Sequence, residues 1–113
     1  MKKAGGKALP LDKLVPIRAR LKREGKKVVF TNGCFDLLHG GHVRLFHEAK
    51  KKGDVLIVAL NSDASVRRLK GPTRPIFPLR ERFEILAAIA DIDYLTSFGE
   101  PTPRKIIAAL LPD

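Results

Sequence analysis

Three short apolar runs limit what this chain can fold into. Lys27–Thr31 (KVVFT) and Asp54–Leu60 (DVLIVAL) are β-branched, bounded by turn residues and too short for helices. They read as strands buried on both faces, and Tyr94–Phe98 reads as a third strand. Helical spacing fills the intervals. Asp12 could cap a helix running to about Glu24 with Leu14, Ile17 and Leu21 on one face. Pro16, tolerated only in a first turn, would move that start later. Gly25 ends the helix.

Gly41–Lys52 is helical with Leu45, Phe46 and Ala49 facing inward, and Gly53 stops it. Asn61–Leu69 is a loop and short helix, and Gly71–Pro78 is irregular. Leu79–Ala90 is a helix with Phe83, Leu86, Ala87 and Ala90 on one face, and Thr102–Leu111 is the last helix. Strands alternating with helices spell an α/β chain with a parallel sheet and helical crossovers. Ligands of such sheets bind beyond the carboxyl ends of the strands, where both polar clusters, Asn32–His42 and Asn61–Lys70, begin.

Length and charge refine this reading. A chain of 113 residues fits one domain. Residues 1–10 are expected to be a disordered basic leader, and 11–113 a single domain. Of the net charge of +10, most sits early: ten of 22 Lys/Arg but only two of 12 acids precede residue 28. The body is nearly balanced, which argues against a nucleic-acid-binding face. No apolar run reaches the ~20 residues of a membrane span, and no apolar segment follows the N-terminal lysines as in a signal peptide. The single cysteine, Cys34, has no partner for an internal disulfide, so a cytoplasmic location is expected. The absence of Gln, with only Asn32 and Asn61 as amides, is a weak thermophile signal.

The chemistry concentrates in Thr31-Asn-Gly-Cys-Phe-Asp-Leu-Leu-His39-Gly-Gly-His42, which opens directly into a helix. A helix start offers unpaired N–H groups and partial positive charge to phosphate. Gly40 and Gly41 would let backbone approach an anion. His39 and His42, three apart, face one way on a helical turn and could donate to phosphate oxygens as charge builds there. A zinc site is the alternative, but neither His47 nor Cys34 falls at zinc-ligand spacing. His47 reads as a surface residue.

Phe35-Asp36-x-x-His39-x-Gly41-His42 resembles the HxGH signature of the nucleotidyltransferase superfamily, which includes cytidylyltransferases and pantetheine-phosphate adenylyltransferases. Thr31–His42 with Asn61-Ser-Asp-Ala-Ser-Val-Arg-Arg-Leu-Lys70-Gly71 and Arg74-Pro75 is similar to the heptose 1-phosphate adenylyltransferases of ADP-heptose synthesis, over about Leu11 to Asp113. The resemblance implies a three-layer Rossmann-like fold and an enzyme transferring AMP from ATP, with Mg²⁺, to D-glycero-β-D-manno-heptose 1-phosphate. It implies that His39, His42 and Lys70 are catalytic and that Thr31, Asn32, Gly33, Cys34, Phe35, Asp36 and Gly41 bind nucleotide, Asp36 by orienting the motif. Asn61, Asp63 and Arg82 would face the substrate, although Asp63 could instead be an N-cap, Arg82 an exposed helix position and Cys34 a small filler. Metal ligands are not assigned.

Two other functions stay open at this point: a cytidylyltransferase for glycerol 3-phosphate or a similar small phosphate, and a non-catalytic nucleotide- or nucleic-acid-binding module. The resemblance also implies a further C-terminal strand, beside the first, and a Ser/Thr-rich motif, neither of which is present. Val28–Phe30 is therefore expected as an apolar edge, in a shortened chain or one paired in a homodimer.

Overall fold

The structure is a computed structural model that describes residues 6–113. Strands β1 (Val28–Gly33), β2 (Val55–Asn61) and β3 (Tyr94–Phe98) form one parallel sheet in the order β1-β2-β3, with Val28 opposite Val55 and Ile57 opposite Tyr94. Helices α1 (Leu11–Arg23) and α5 (Arg104–Leu110) cover one face, where Leu14, Leu21, Val28, Ile57, Ala59, Phe98, Ile106 and Leu110 pack together. On the other face α2 (Gly40–Lys51) and α4 (Leu79–Ala87) bring Phe46 and Leu86 against Leu56, Val58, Leu60 and Leu95. The result is the expected three-layer α/β architecture. Successive β2 side chains feed opposite cores, so β2 is buried from Leu56 to Asn61 and reads as an unbroken apolar run.

Several local expectations are corrected. Helix α1 begins at Leu11 behind Pro10 and continues through Pro16. Pro16 lies on the exposed side of the helix, where the carbonyl it leaves unpaired can be hydrated. Asp12 sits inside the first turn rather than capping it. Gly25, at φ +75°, does stop this helix. Leu45 is exposed and Phe46 alone of α2 is fully buried. Helix α4 ends at Ala87, and Ala90 is exposed.

The leader is ordered over its described part. Leu95 donates to the Lys7 carbonyl and Leu9 donates to the Leu95 carbonyl, at 2.9 and 2.8 Å, which lays Ala8 parallel to β3. Residues 1–5 of the expected disordered leader lie outside the described residues.

β1 is the sheet edge, as expected, but Val28–Phe30 is covered at its first residue. Val28 is fully buried; its N–H donates to Asp113 Oδ2 and its carbonyl accepts from the Asp113 N–H, both at 2.8 Å. Val29 and Phe30 are half-buried. Arg18 secures the same corner, donating from Nε to the Leu110 carbonyl (3.0 Å) and from Nη2 to Leu111 (2.9 Å). These are carbonyls that the end of α5 leaves unpaired.

Gly53 makes the tight entry into β2 possible, because a Cβ there would lie 2.7 Å from Val29 Cγ2 and 2.9 Å from the Lys27 carbonyl oxygen. Backbone cannot yield as a flexible side chain does. Gly53→Ala is expected to lower stability by about 1–3 kcal/mol, read from the urea midpoint at unchanged slope.

Candidate functional site

The β1–α2 connection is built around two aromatic rings and two imidazoles. Phe35 adopts φ +48°, a left-handed conformation that disfavours a bulky residue by about 1–2 kcal/mol. Its ring sits edge-on to His42 (centroids 5.7 Å) and tilted against Phe46 (5.2 Å), contacts of the size needed to offset that strain. Gly33 accommodates the ring, since a Cβ there would lie 2.9 Å from the tip of Phe35.

His39 is the N-cap of α2, and the two histidines cap the helix reciprocally. The Gly41 N–H donates to His39 Nδ1 at 3.0 Å, and the His39 N–H donates to His42 Nδ1 at 3.2 Å. An amide can only donate, so each Nδ1 must accept, and each neutral ring carries its proton on Nε2. The stacked rings, with centroids 4.1 Å apart, thus present two N–H donors away from the backbone. The expectation of unpaired helix amides changes in part: the Gly41 N–H is occupied by His39, and imidazole N–H groups join the donors offered to an anion. Gly41 is required because a Cβ would lie 2.7 Å from His39 Cε1, whereas one on Gly40 meets only the mobile Arg44 tip at 3.2 Å. Burial and the neighbouring His39 hold His42 below the ordinary imidazole pKa.

Asp36 is 4% exposed and reaches across to the Gly71–Pro78 segment. Its carboxylate accepts from Arg74 Nε (2.6 Å), the Ile76 N–H (2.7 Å) and the Phe77 N–H (2.9 Å). Burial alone would raise its pKa, but the two backbone N–H groups and Arg74 outweigh that and hold it below the usual carboxylate range. Asp36 anchors that segment to the motif loop.

Arg82 is buried rather than an exposed helix position. Its side chain is 0% exposed. Nε donates to the Phe77 carbonyl (3.0 Å), Nη1 to the carbonyls of Cys34 (2.9 Å) and Asn61 (2.8 Å), and Nη2 to Asp63 Oδ1 (2.6 Å). One guanidinium therefore fastens the loops after β1 and β2 to the approach to α4. Asp63 also accepts from the Leu79 N–H at 2.9 Å. It does not cap α3 (Asp63–Lys70), whose N-cap is Ser62. Asn61 turns its amide into Ser65 Oγ at 2.9 Å. The three residues expected to face substrate thus hold one another and the neighbouring loops, with Arg82 and Asn61 buried and Asp63 partly exposed.

Of the remaining candidates, Thr31 and Cys34 are half-buried at the end of β1, and Asn32 is exposed there. Lys70 is exposed at the last turn of α3, with no hydrogen bond or ion pair among the described residues. His47 pairs with Asp91 at 3.3 Å on the surface. No group of three or more His, Cys, Asp or Glu able to hold a metal exists among the described residues. None of the described helices is long and apolar enough to cross a membrane. Sequence reasoning underrated Arg74; its one visible signal was its place beside Pro75 in the irregular segment.

If Arg82 is the frame rather than a ligand, Arg82→Ala strands a partly buried carboxylate and three carbonyls. It is expected to lower stability by about 3–5 kcal/mol, with Arg82→Lys recovering little because a point ammonium cannot span four acceptors. Unchanged chemical denaturation would contradict this. For His42, a lowered folded-state pKa means the unfolded chain binds the proton more tightly. That stability is complete above the unfolded imidazole pKa of about 6.5 and is lost as pH falls through it towards the folded value. The denaturation midpoint should fall between about pH 7.5 and 5.5, and His42→Gln, which accepts without titrating, should flatten that slope.

The family described as cytidylyltransferase-like matches residues 30–113. The bifunctional protein HldE of Syntrophotalea carbinolica is 51% identical over 113 residues, covering 94% of this chain and 23% of that protein. The protein of the same name from Geobacter metallireducens is 57% identical over 102 residues, 90% of this chain and 21% of that one. The chain thus spans less than a quarter of the length of these curated relatives. A lipopolysaccharide core biosynthesis protein from Thermoplasma volcanium, known by crystal structure, superposes with a TM-score of 0.71 at 30% identity, covering 79% of this chain and 71% of that one.

Proposed function

The chain belongs to the cytidylyltransferase-like family, and on that premise we propose that it is a nucleotidyltransferase carrying AMP from ATP to a sugar 1-phosphate. The acceptor is heptose 1-phosphate and the products are ADP-heptose and pyrophosphate. One observation carries the reading: the His39–His42 pair, locked by its own capping bonds with both Nε2–H groups pointing outward, at the positive end of α2. The motif string Thr31–His42 with Asn61–Gly71 supports the heptose acceptor. So does the likeness to a protein of lipopolysaccharide core biosynthesis.

The reaction needs little from the enzyme in acid–base terms. A phosphate monoester has a second pKa of about 6, so the acceptor arrives largely as a dianion. Its oxygen attacks the α-phosphorus of ATP, the bond to the β-phosphate oxygen breaks, and pyrophosphate leaves with that electron pair. No base removes a proton and no enzyme nucleophile intervenes. The imidazole N–H groups stabilise charge on the α-phosphoryl oxygens as it builds, and Lys70 adds positive potential. Thr31, Asn32, Gly33, Cys34 and Phe35 line the approach at the end of β1, where the nucleotide would lie along the backbone.

Mg²⁺ accompanies ATP. Bound to the triphosphate, it would neutralise part of the charge on the phosphate oxygens. A cytoplasmic location, where ATP is at hand, belongs to the same proposal. Strand pairing along the outer edge of β1 would give a homodimer, which sedimentation reads directly.

Pyrophosphate release with ATP or CTP, over a panel of sugar phosphates and glycerol 3-phosphate, tests the assignment. Turnover is expected with ATP and heptose 1-phosphate, and activity with CTP alone would overturn it. His39→Ala and His42→Ala should each lower kcat by about 10²–10³-fold in the same assay.

A further inference from the structure

Two arginines meet the two carboxylates that hold the Gly71–Leu79 connection, and they are used differently. Arg82 commits Nε, Nη1 and Nη2 to protein acceptors. Arg74 commits only Nε, to Asp36 Oδ2 at 2.6 Å, and 29% of its side chain is exposed. Neither terminal nitrogen of Arg74 is hydrogen-bonded among the described residues, nor is either a buried unpartnered atom. A guanidinium pinned through Nε points its opposite edge, the Nη1/Nη2 pair, away from the pinning carboxylate. That edge carries two parallel N–H donors, the geometry that grips two phosphate oxygens at once. Asp36 is itself almost fully buried and fixed by the Ile76 and Phe77 N–H groups, so it cannot swing away with Arg74.

Placement indicates which phosphate this edge serves. Asp36 stands three residues before His39, in the loop beyond the carboxyl end of β1. In-line transfer puts incoming and outgoing oxygens on opposite sides of one phosphorus, so the acceptor dianion needs a cation separate from those serving the triphosphate. The histidine pair belongs to the start of α2, whereas Arg74 arrives from the separate connection after α3. We propose that Arg74 binds the phosphate of the sugar phosphate acceptor, with Asp36 as its positioning residue. This rests on the nucleotidyltransferase reading above, and it moves the acceptor-phosphate contact from Arg82, where the motif pattern put it, to Arg74.

The test is steady-state kinetics of the full chain with ATP and heptose 1-phosphate, together with calorimetric binding of mannose 1-phosphate in the presence of a non-hydrolysable ATP analogue. Arg74→Ala should raise KM for the acceptor about 10- to 100-fold, the worth of a charge-assisted contact, while KM for ATP moves less than about threefold. Arg74→Lys should recover only part of that loss. Asp36→Asn should raise acceptor KM in the parent but add nothing further in the Arg74→Ala background, a coupling that plain destabilisation would not produce. An unchanged acceptor KM, or equal losses for both substrates, overturns the proposal. If the parent releases no pyrophosphate with any nucleotide, the nucleotidyltransferase reading falls by itself. Mannose 1-phosphate binding then decides on Arg74: weaker binding by Arg74→Ala upholds it, and equal or absent binding by parent and variant sinks it.

Discussion

The site end of this molecule depends on a buried positive charge. Three loops converge beyond the carboxyl ends of the strands, and each brings backbone carbonyls that no strand or helix pairs. Arg82 answers three of them and a carboxylate from one fully enclosed guanidinium. Burying such a charge is unfavourable unless most of its donors are used, and here four bonds are made. Asp36 does the reciprocal work, with one carboxylate accepting from two amides and an arginine. The two groups of opposite sign fix the same 74–79 stretch from two sides, so the chemistry-bearing loop rests on a rigid neighbour rather than on solvent.

Much of the architecture could be read from the residues because the signals were local. Val55–Leu60 has no polar position until Asn61, and only a central strand with helices on both faces accommodates such a run. Gly25 and Gly53 marked stops because one needs a left-handed φ and the other has no room for a Cβ. What escaped the sequence depended on contacts between distant residues. Pro16 sits where its orphaned carbonyl partner faces water, which spacing alone does not reveal. Leu45 has the right period for a core position, but α2 turns Phe46 into the core and leaves Leu45 exposed.

The site followed the same division. His39, His42 and Gly41 were legible because the motif is contiguous and its geometry closes within one helical turn. Arg82, Asp63 and Asn61 were read as substrate contacts, yet they bond to protein groups between 4 and 48 residues away, and Arg82 and Asn61 are buried. An arginine in a helix looks the same on paper whether it meets water, a ligand or four carbonyls. The histidines also hold a result that composition hides. Their Nδ1 atoms serve as the helix cap, so a single pair of rings both starts α2 and presents donors beyond it, and substitution touches both roles.

The Arg18 contact with the end of α5 joins residues 92 positions apart in the chain. The first helix cannot settle on the sheet in its final form until α5 has been synthesised and has cleared the ribosome. Until then Leu14 and Leu21 lack the Ile106 and Leu110 side of their core. A contact between segments so far apart in the chain forms only after a long loop has closed, so this corner is expected to be among the later parts of the fold to settle.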